Sequence, residues 1–328
     1  LRVDFSTREG DVHALNGVDL DIYRGETLGV VGESGCGKSM TARSILGLVP
    51  RAGKVTGGSI ELQAENSTLQ LTGEKSKGNI AKIRGKTVAM IFQEPMTSFS
   101  PIHTIANQIG EMVQLHLGYD KKAARDRVVE VLSLVGIPDA KRRVDSYPFE
   151  LSGGMRQRAM IAMALSCNPT LLIADEPTTA LDVTIQAQIL ELLRDLQTKL
   201  GMSIMLITHN IGVVAALSDR IAVMYLGRVI EAGTVEDVLA RPKHPYTLSL
   251  LRSMPRLGEQ ATGRLWSIKG TLPDPYTKVS GCSFHPRCSS FMPGVCDLAG
   301  PTMTPIASGH KVACFLYQEQ ASGEEAKR

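Results

Sequence analysis

The sequence TLGVVGESGCGKSMTARSILGL, residues 27–48, decides the fold. It starts with a short apolar run, continues through a glycine-rich loop and takes on a helical pattern from Met40. Residues 32–39, here called the phosphate loop, fit G-x-x-x-x-G-K-[ST], in which backbone N–H groups surround phosphate oxygens at a helix N-terminus. The order of strand, loop and helix predicts a phosphate-binding α/β fold. An ordinary glycine turn is the alternative, and the flanking strand and helix disfavour it.

Residues of the phosphate loop are expected to differ in role. Lys38 should reach the outer phosphates, the Ser39 hydroxyl should help to hold Mg²⁺, and Cys36 should fill space at a variable position. Nucleotide contacts are predicted along the loop and at the start of the helix, for Gly32, Glu33, Ser34, Gly35, Cys36, Gly37, Lys38, Ser39 and Met40.

A second segment, LLIADEP at residues 171–177, places two carboxylates after four apolar residues. A buried central strand has this form when it delivers acids to the C-terminal edge of a parallel sheet. We predict that Asp175 acts on the metal ion and that Glu176 polarises the attacking water as general base. The alternative is a strand-end turn with two solvated acids.

A third segment, LSGGMRQR at residues 151–158, is here called the signature segment. A serine cap with flexible glycines would explain it in ordinary terms. The LSGG sequence followed by x-[RQ]-Q-R, upstream of Asp175, resembles the signature sequence of the ABC ATPases. In that family this helix N-terminus contacts ATP held by a second subunit, and a positive helix end suits an anion. The resemblance assigns that contact to Ser152, Gly153, Gly154 and Gln157.

Three more residues take their roles from the resemblance. Gln93, in MIFQEP, is similar to the glutamine that contacts Mg²⁺ and water and couples the site to the membrane subunits. Asp182, in ALD, resembles the D-loop through which two cassettes touch, and His209 resembles the switch histidine at the γ-phosphate. In the ABC ATPases an aromatic residue often stacks on adenine. By spacing it is expected near Glu9, where the nearby candidates are only Phe5 and His13.

Composition limits the other functions. Lysine and arginine total 36 against 33 acidic residues, for a net charge of +3, which is too balanced for a protein that grips a polyanion. The longest apolar runs, such as residues 221–226, are far shorter than the ~18 residues that span a bilayer. We expect no signal peptide and no nucleic-acid partner. The predicted location is the cytoplasmic face of the inner or plasma membrane, reached through partner subunits.

The predicted organisation is an ABC ATPase fold with a C-terminal extension. Residues 1–235 are expected to form the nucleotide-binding domain, with a mainly parallel sheet, an antiparallel β-subdomain and a helical signature subdomain at about residues 98–160. After about Pro242 the sequence becomes rich in Pro, Gly and Cys, so residues 236–328 are predicted to be a small irregular extension.

The resemblance extends to one branch of the family. FQEPMTS at residues 92–98, HPYT at residues 244–247 and GCSFHPRC at residues 281–288 are similar to the oligopeptide/dipeptide transporter ATPases. The resemblance implies an ATP-driven motor that works with a second, homologous ATPase subunit, two transmembrane permeases and an extracytoplasmic solute-binding protein. It leaves the solute open among peptides, oligosaccharides, nickel and other small solutes.

Four cysteines near the C-terminus predict a metal site. In a reducing compartment, clustered cysteines indicate a metal rather than disulfides. Four thiolates suit either an iron-sulfur cluster or structural Zn²⁺, and spacing does not decide between them. The family resemblance favours a 4Fe-4S cluster, with Zn²⁺, free thiols and disulfides as alternatives, held by Cys282, Cys288, Cys296 and Cys314.

Three other functional classes fit the sequence less well than a transport ATPase. A soluble ABC ATPase of DNA repair or translation usually carries two cassettes or long insertions, and this chain has one cassette. A P-loop kinase or GTPase has no use for the signature segment. A degenerate ATPase that binds without turnover is disfavoured because Glu176 and His209 are present.

Overall fold

The computed structural model describes residues 1–64, 67–73, 76–93, 98–179, 181–253, 268–277 and 279–318. The chain forms two compact units. Unit 1 is drawn from Leu1–Asp21, Leu28–Glu61 and His209–Arg328, and unit 2 from Ile22–Thr27 and Leu62–Thr208.

The strands in chain order are β1 (Arg2–Thr7), β2 (Gly10–Asn16), β3 (Thr27–Val31), β4 (Gly53–Gly57), β5 (Glu61–Ala64), β6 (Ser67–Gln70), β7 (Val88–Ile91), β8 (Leu171–Asp175), β9 (Ser203–Ile207), β10 (Arg220–Tyr225), β11 (Arg228–Thr234), β12 (Thr304–Ala307) and β13 (His310–Val312). The α-helices are α1 (Lys38–Ile45), α2 (Ser76–Ile83), α3 (Ile105–Leu117), α4 (Lys121–Leu134), α5 (Ala140–Arg143), α6 (Gly153–Leu165), α7 (Val183–Leu200), α8 (Ile211–Leu217), α9 (Val235–Ala240) and α10 (Pro245–Arg252). Short 3₁₀ turns occur at Pro148–Glu150, His285–Arg287 and Phe315–Tyr317.

Unit 1 contains two sheet arrangements. β2, β1 and β4 form the predicted antiparallel β-subdomain, in that order. The order β12-β13-β11-β10-β3 follows in the larger sheet, where β3 and β10 run parallel and the other neighbours run antiparallel.

Unit 2 contains the parallel order β9-β8-β7. Every residue of β8 and β9 is buried. Every residue of β3, the strand of unit 1 that precedes the phosphate loop, is buried as well. Strands covered on both faces need continuous apolar sequences, which is the pattern these segments show. The buried parallel strands therefore deliver the phosphate loop and the two acids from their C-terminal ends.

Unit 2 contains the neighbouring helices α3 and α4, here called the helical insertion, within the helical subdomain predicted at about residues 98–160. Thr104 and Asp120 cap α3 and α4 by accepting hydrogen bonds from Asn107 N–H and Ala123 N–H at 3.3 and 2.7 Å. Gly118 ends α3 in the left-handed conformation, with φ of 70°. Residues 118–120 therefore form a short loop between α3 and α4.

The C-terminal extension is less irregular than its composition suggests. Its hairpin, β12 and β13, pairs with β11 of the larger sheet, and Phe284 is fully buried against Tyr225 and Tyr246, with its ring centroid 5.2 and 5.4 Å from theirs. The predicted boundary at residue 235 therefore lies inside unit 1. None of the helices in the described ranges has the length and apolarity needed to cross a bilayer.

Candidate functional site

The backbone of the phosphate loop favours glycine at three positions. Gly32, Gly35 and Gly37 have φ of 153°, 79° and 103°, values that L-residues rarely adopt. A Cβ on Gly32 would overlap the carbonyl oxygen of Met224, and one on Gly37 would lie 2.8 Å from Cδ2 of Leu15. Gly35 faces open space, so the loop is confined at its ends and open at its tip.

Lys38 lies inside the phosphate loop. It is buried, and its ammonium donates hydrogen bonds to the carbonyl oxygens of Gly32 at 2.8 Å and Glu33 at 3.1 Å. A buried cation enclosed by loop backbone is suited to an incoming anion. Ser34 is exposed, while Ser39 and Met40 are partly exposed on the first turn of α1.

Cys36 fills space, as predicted from its position. Its side chain is completely buried, and its Sγ lies 3.7 Å from Nζ of Lys38. Burial raises the pKa of the Cys36 thiol, although the nearby ammonium acts in the opposite direction. The thiol is therefore protonated and poorly nucleophilic at neutral pH.

Glu33 is held by residues far away in the sequence. Its backbone N–H donates to the Tyr246 hydroxyl at 2.8 Å, and its carboxylate accepts two hydrogen bonds from Arg287 at 2.7 and 3.1 Å. Sequence analysis missed both partners. The HPYT and GCSFHPRC segments contain Tyr246 and Arg287, but no spacing rule connects those segments to the phosphate loop.

In unit 2 the two predicted acids stand at the end of β8. Asp175 is its last residue and is 2% exposed, whereas Glu176 is partly exposed. Glu176 has a φ of 49°, and its N–H donates to the carbonyl of Ile207 at 2.8 Å. A non-glycine residue in the left-handed region costs of order 1 kcal/mol, so neighbouring structure must enforce this turn.

Two side chains hydrogen-bond to the carboxylate of Glu176. Gln93 Nε2 and Thr179 Oγ1 donate to Glu176 Oε2 at 3.0 and 2.8 Å. We call these three residues the carboxylate cluster. The predicted pair of Gln93 and Glu176 is thus brought together, and Thr179 is an additional member that the sequence did not single out.

The signature segment lies at the start of α6 in unit 2. Ser152 is the N-cap and accepts a hydrogen bond from Met155 N–H at 3.3 Å, and Gly153 faces open space. A Cβ on Gly154 would lie 3.3 Å from Cγ2 of Ile185. Gln157 differs from expectation, because its side chain is 1% exposed and donates to the carbonyl of Pro177. It links α6 to the segment after Glu176 instead of facing outward.

Asp182 and His209 both precede helices. Asp182, in unit 2, caps α7 by accepting a hydrogen bond from Ile185 N–H at 2.9 Å, and the next residue, Val183, is 84% exposed. His209, in unit 1, is exposed and stands before Asn210, the N-cap of α8. Ala180 and residues 94–97 lie outside the described residues.

The expected adenine position has no aromatic side chain of its own. His13 contacts Asp4, with Nδ1 and Oδ1 2.6 Å apart. The Phe5 ring packs against Gly53, because a Cβ added to that glycine would lie 2.7 Å from the ring. An aromatic residue from the extension lies nearby, because a Cβ on Gly10 would be 3.5 Å from Cδ1 of Tyr276.

The four C-terminal cysteines influence one another electrostatically. Burial first, and the neighbouring Cys282, Cys288 and Cys296 to a smaller extent, raise the pKa of Cys314 to about 11. Cys282 N–H also donates to the carbonyl of Cys296 at 2.7 Å. Within the described ranges, however, no group of three or more His, Cys, Asp or Glu side chains could hold a metal ion. The predicted 4Fe-4S cluster is therefore not confirmed by the structure.

A groove of about 500 Å³ runs along the helical insertion in unit 2. Residues of α3 and α4 line it, among them Gly110, Leu115 and Arg125. Leu115 is 73% exposed, so the groove offers apolar as well as charged surface.

Two sequence families match this chain. The family described as ABC transporter matches residues 15–179, and the one described as oligopeptide/dipeptide transporter, C-terminal region, matches residues 230–296. The matches cover the phosphate loop, the signature segment, the two acids and three of the four C-terminal cysteines.

Similar proteins match over nearly the whole chain. The dipeptide transport ATP-binding protein DppD of Bacillus subtilis is 50% identical over 98% of this chain and 94% of its own length. The oligopeptide transport ATP-binding protein AppD of the same organism is 49% identical over 98% of this chain and 96% of its own. Among solved structures, the dimeric ATP-binding cassette MJ0796 with ADP and Pi matches with a TM-score of 0.61 and 28% identity, over 72% of this chain and 96% of its own.

Proposed function

This chain belongs to the ABC transporter family as an ATP-hydrolysing subunit, and we propose that it drives an importer of dipeptides or oligopeptides. The observation that carries the proposal is the similarity to a dipeptide and an oligopeptide transport protein, at 50% and 49% identity over 98% of this chain, which includes the extension. We infer peptides as the solute class from these relatives.

We propose that the phosphate loop binds the ATP phosphates. Its N–H groups and the N-terminus of α1 favour an anion, and Lys38 is the enclosed cation. Gly32 through Met40 form the contact segment. Oxygen ligands suit Mg²⁺, and Ser39, Gln93 and Asp175 would hold the ion, which neutralises phosphate charge when bound.

The carboxylate cluster is suited to hydrolysis. Glu176 would accept a proton from the attacking water, and the hydrogen bonds from Gln93 and Thr179 would fix the orientation of its carboxylate. His209 would contact the γ-phosphate as the switch histidine. These roles come from the family resemblance, and the geometry of the cluster supports that of Glu176.

We propose that the signature segment acts on ATP held by a second, homologous subunit. Ser152 and Gly153 are exposed at a helix N-terminus, which suits contact with an anion across an interface. Exposed Val183 next to Asp182 fits a surface that a second cassette covers. Gln157, being buried, would support this helix without touching nucleotide.

The proposed assembly also contains two transmembrane permeases and an extracytoplasmic solute-binding protein. The groove on α3 and α4 is the candidate surface for a permease, because it combines exposed Leu115 with charged Lys121 and Arg125. Attachment there would hold the subunit at the cytoplasmic face of the membrane. A soluble ABC ATPase of DNA repair or translation is not favoured, because the family match continues into the transporter extension, over residues 230–296.

We further propose that Cys282, Cys288, Cys296 and Cys314 hold a 4Fe-4S cluster, with Zn²⁺ as the alternative. The chemistry of the donors fits, because burial and neighbouring cysteines raise the pKa values of Cys282, Cys288 and Cys314, and a bound metal cation would stabilise their thiolates. The thiols must move closer than in the present structure to bind it. A bound cluster would cross-link the extension.

The cluster proposal is tested by anaerobic purification. We expect iron and acid-labile sulfide at about four atoms each per chain and a broad visible absorption, all lost when two of the cysteines are replaced by serine. Stoichiometric zinc without iron would exclude the cluster and keep a four-thiolate site. Absence of any metal in anaerobic protein would remove the site altogether.

The transport proposal is tested in membrane vesicles that contain the full importer. The vesicle lumen corresponds to the cytoplasm and is loaded with ATP. We expect a labelled dipeptide or pentapeptide to accumulate in the lumen, and Lys38→Ala to stop this uptake. Labelled Ni²⁺ and an oligosaccharide serve as competing solute classes. Uptake of one of these without peptide uptake would overturn the peptide assignment and leave the ATPase intact.

A further inference from the structure

The C-terminal extension reaches the phosphate loop through Arg287. The guanidinium forms a two-point ion pair with the carboxylate of Glu33, with N–O distances of 2.7 and 3.1 Å. The Arg287 side chain is only 5% exposed and that of Glu33 is 22% exposed. A bidentate pair with this burial is shielded from solvent and salt more than a surface ion pair.

Arg287 is itself fixed from several directions. Its Nε donates to the Lys269 carbonyl at 3.1 Å, Nη1 lies 3.4 Å from the Tyr225 hydroxyl, and the guanidinium stands 5.9 Å from the centre of the Tyr225 ring. The hydrogen bonds to Glu33, followed by that to Tyr225, raise the pKa of Arg287 and keep it cationic. The cation is therefore held in place before any ligand binds.

Glu33 presents an electrostatic problem for a loop that binds phosphate. A carboxylate in this position repels a polyanion, and near the protein surface one close charge pair changes binding by roughly tenfold or more. The hydrogen bond from Glu33 N–H to Tyr246 and the bond from Lys38 to the Glu33 carbonyl fix the backbone of the same residue. Arg287 neutralises the carboxylate and holds it at one side of the loop.

We propose that Arg287 is a positioning residue for ATP binding, acting through Glu33 so that the C-terminal extension sets the affinity of the phosphate loop of its own chain. The inference rests on the proposed binding of ATP by that loop. It predicts that the extension contributes to nucleotide affinity in the isolated subunit, apart from any contact with other chains.

The test is a double-mutant cycle on the full chain. Arg287→Met keeps the aliphatic stem against Tyr225 but leaves Glu33 with its charge, and we expect the Kd for ATP, measured by calorimetry in EDTA, to rise about tenfold. Glu33→Gln alone leaves the Arg287 cation without its carboxylate partner beside the loop, so we expect its Kd for ATP to fall, by up to about tenfold. The double variant Arg287→Met with Glu33→Gln should return to within about threefold of wild type, since the repulsion has been removed.

Two further readouts separate positioning from simple stability. In Arg287→Met the loss of affinity should be larger for ATP than for ADP, because repulsion grows with phosphate charge. In the assembled ATPase the same variant should raise KM while kcat stays within about twofold of wild type. Arg241→Ala, at an exposed ion pair with Asp237, is the control and should leave both constants unchanged. The Kd of Arg287→Lys for ATP should fall between those of wild type and Arg287→Met, because lysine keeps the positive charge but cannot form the two-point hydrogen bond with the carboxylate.

The outcomes are distinguishable. If Arg287→Met binds ATP like wild type, or if Glu33→Gln does not rescue it, the positioning role is wrong. If Arg287→Met does not fold, Arg287→Lys and the rescued double variant still decide the question through their ATP affinities. If wild type fails to bind ATP, or Lys38→Ala binds it equally well, the proposed phosphate loop itself is wrong.

Discussion

The side-chain amide of Gln93 donates a hydrogen bond of 3.0 Å to the carboxylate of Glu176, and the two residues are far apart in the sequence. β7 and β8 are parallel neighbours, so the segments that follow them emerge at the same sheet edge. This arrangement would allow the glutamine and the acid to act on the same reaction, as we propose. It also gives Glu176 a fixed orientation, which Thr179 reinforces at 2.8 Å.

Thr179→Val should lower the rate of ATP hydrolysis without changing ATP affinity. Valine has nearly the shape of threonine but cannot donate to Glu176, so the base loses one orienting hydrogen bond. We expect kcat to fall roughly tenfold, as for the loss of a hydrogen bond to a charged group. The measurement is steady-state phosphate release with a parallel ATP titration. Thr179→Ser is the matched control, and an unchanged kcat in Thr179→Val would remove Thr179 from this role.

Ser152→Arg should leave ATP binding by the same chain intact and stop hydrolysis at the phosphate loop of a second subunit. Ser152 is exposed at the N-terminus of α6, so an arginine there blocks close approach across the interface. Gly153→Asp tests the same idea with negative charge and has open space for its Cβ. Gly154→Asp is less selective, because its Cβ would press on Ile185.

These signature variants need a paired assay. ATP affinity is measured on the isolated subunit, and phosphate release on the assembled pair. Loss of ATP affinity in the isolated Ser152→Arg chain would contradict the separation of the two roles.

Glu231→Ala should destabilise unit 1 strongly. The Glu231 carboxylate is fully buried and accepts from the N–H groups of Lys243 and His244 at 2.8 and 2.9 Å and from His310 Nε2 at 2.9 Å. Removing it leaves buried donors without a partner, so we expect the free energy of unfolding to fall by about 3–5 kcal/mol. Urea unfolding checks this, with exposed Glu236→Ala as the control. A change below about 1 kcal/mol would show that the cluster is dispensable.

Stability should fall as pH drops below 6.5 because of His244. The ring is buried and neutral, Nδ1 accepts from Tyr246 N–H at 3.0 Å, and burial lowers the pKa of His244 to about 3. In the unfolded chain the pKa of His244 is near 6.5, so below that pH the unfolded state binds a proton that the folded state does not bind. Between pH 6.5 and about 3, each pH unit should cost about 1.4 kcal/mol.

The pH effect is isolated by comparing wild type with His244→Gln. Both are unfolded with urea at several pH values between 7 and 4.5, and the difference between their unfolding free energies should shrink as pH falls. A constant difference across that range would mean that His244 does not titrate as its burial requires.

Much of the fold was predictable from local patterns. The continuous apolar runs before Gly32 and Asp175 predicted buried strands, and their positions agree with β3 and β8. Of the three glycines with positive φ in the phosphate loop, Gly32 and Gly37 follow from the motif itself. These features depend on short stretches of chain, where backbone geometry and burial leave few alternatives.

The contacts of the extension were not predictable in the same way. Phe284 and Arg287 lie in a segment without helical or strand periodicity, yet one is fully buried against Tyr225 and the other is paired with Glu33. Such contacts depend on long-range packing rather than on spacing. Gln157 shows the converse error, because a residue of the signature pattern points inward to Pro177.

We propose above all that Glu176 is the general base with which this chain hydrolyses ATP. The most direct measurement is the rate of phosphate release from ATP by wild type and Glu176→Gln, each assembled with its partner subunits, together with the amount of ATP retained. The amide keeps the shape of the carboxylate but cannot accept the proton, so the variant should bind ATP with near wild-type affinity and turn over at least about 100-fold more slowly. Hydrolysis by Glu176→Gln at a near wild-type rate would contradict the account.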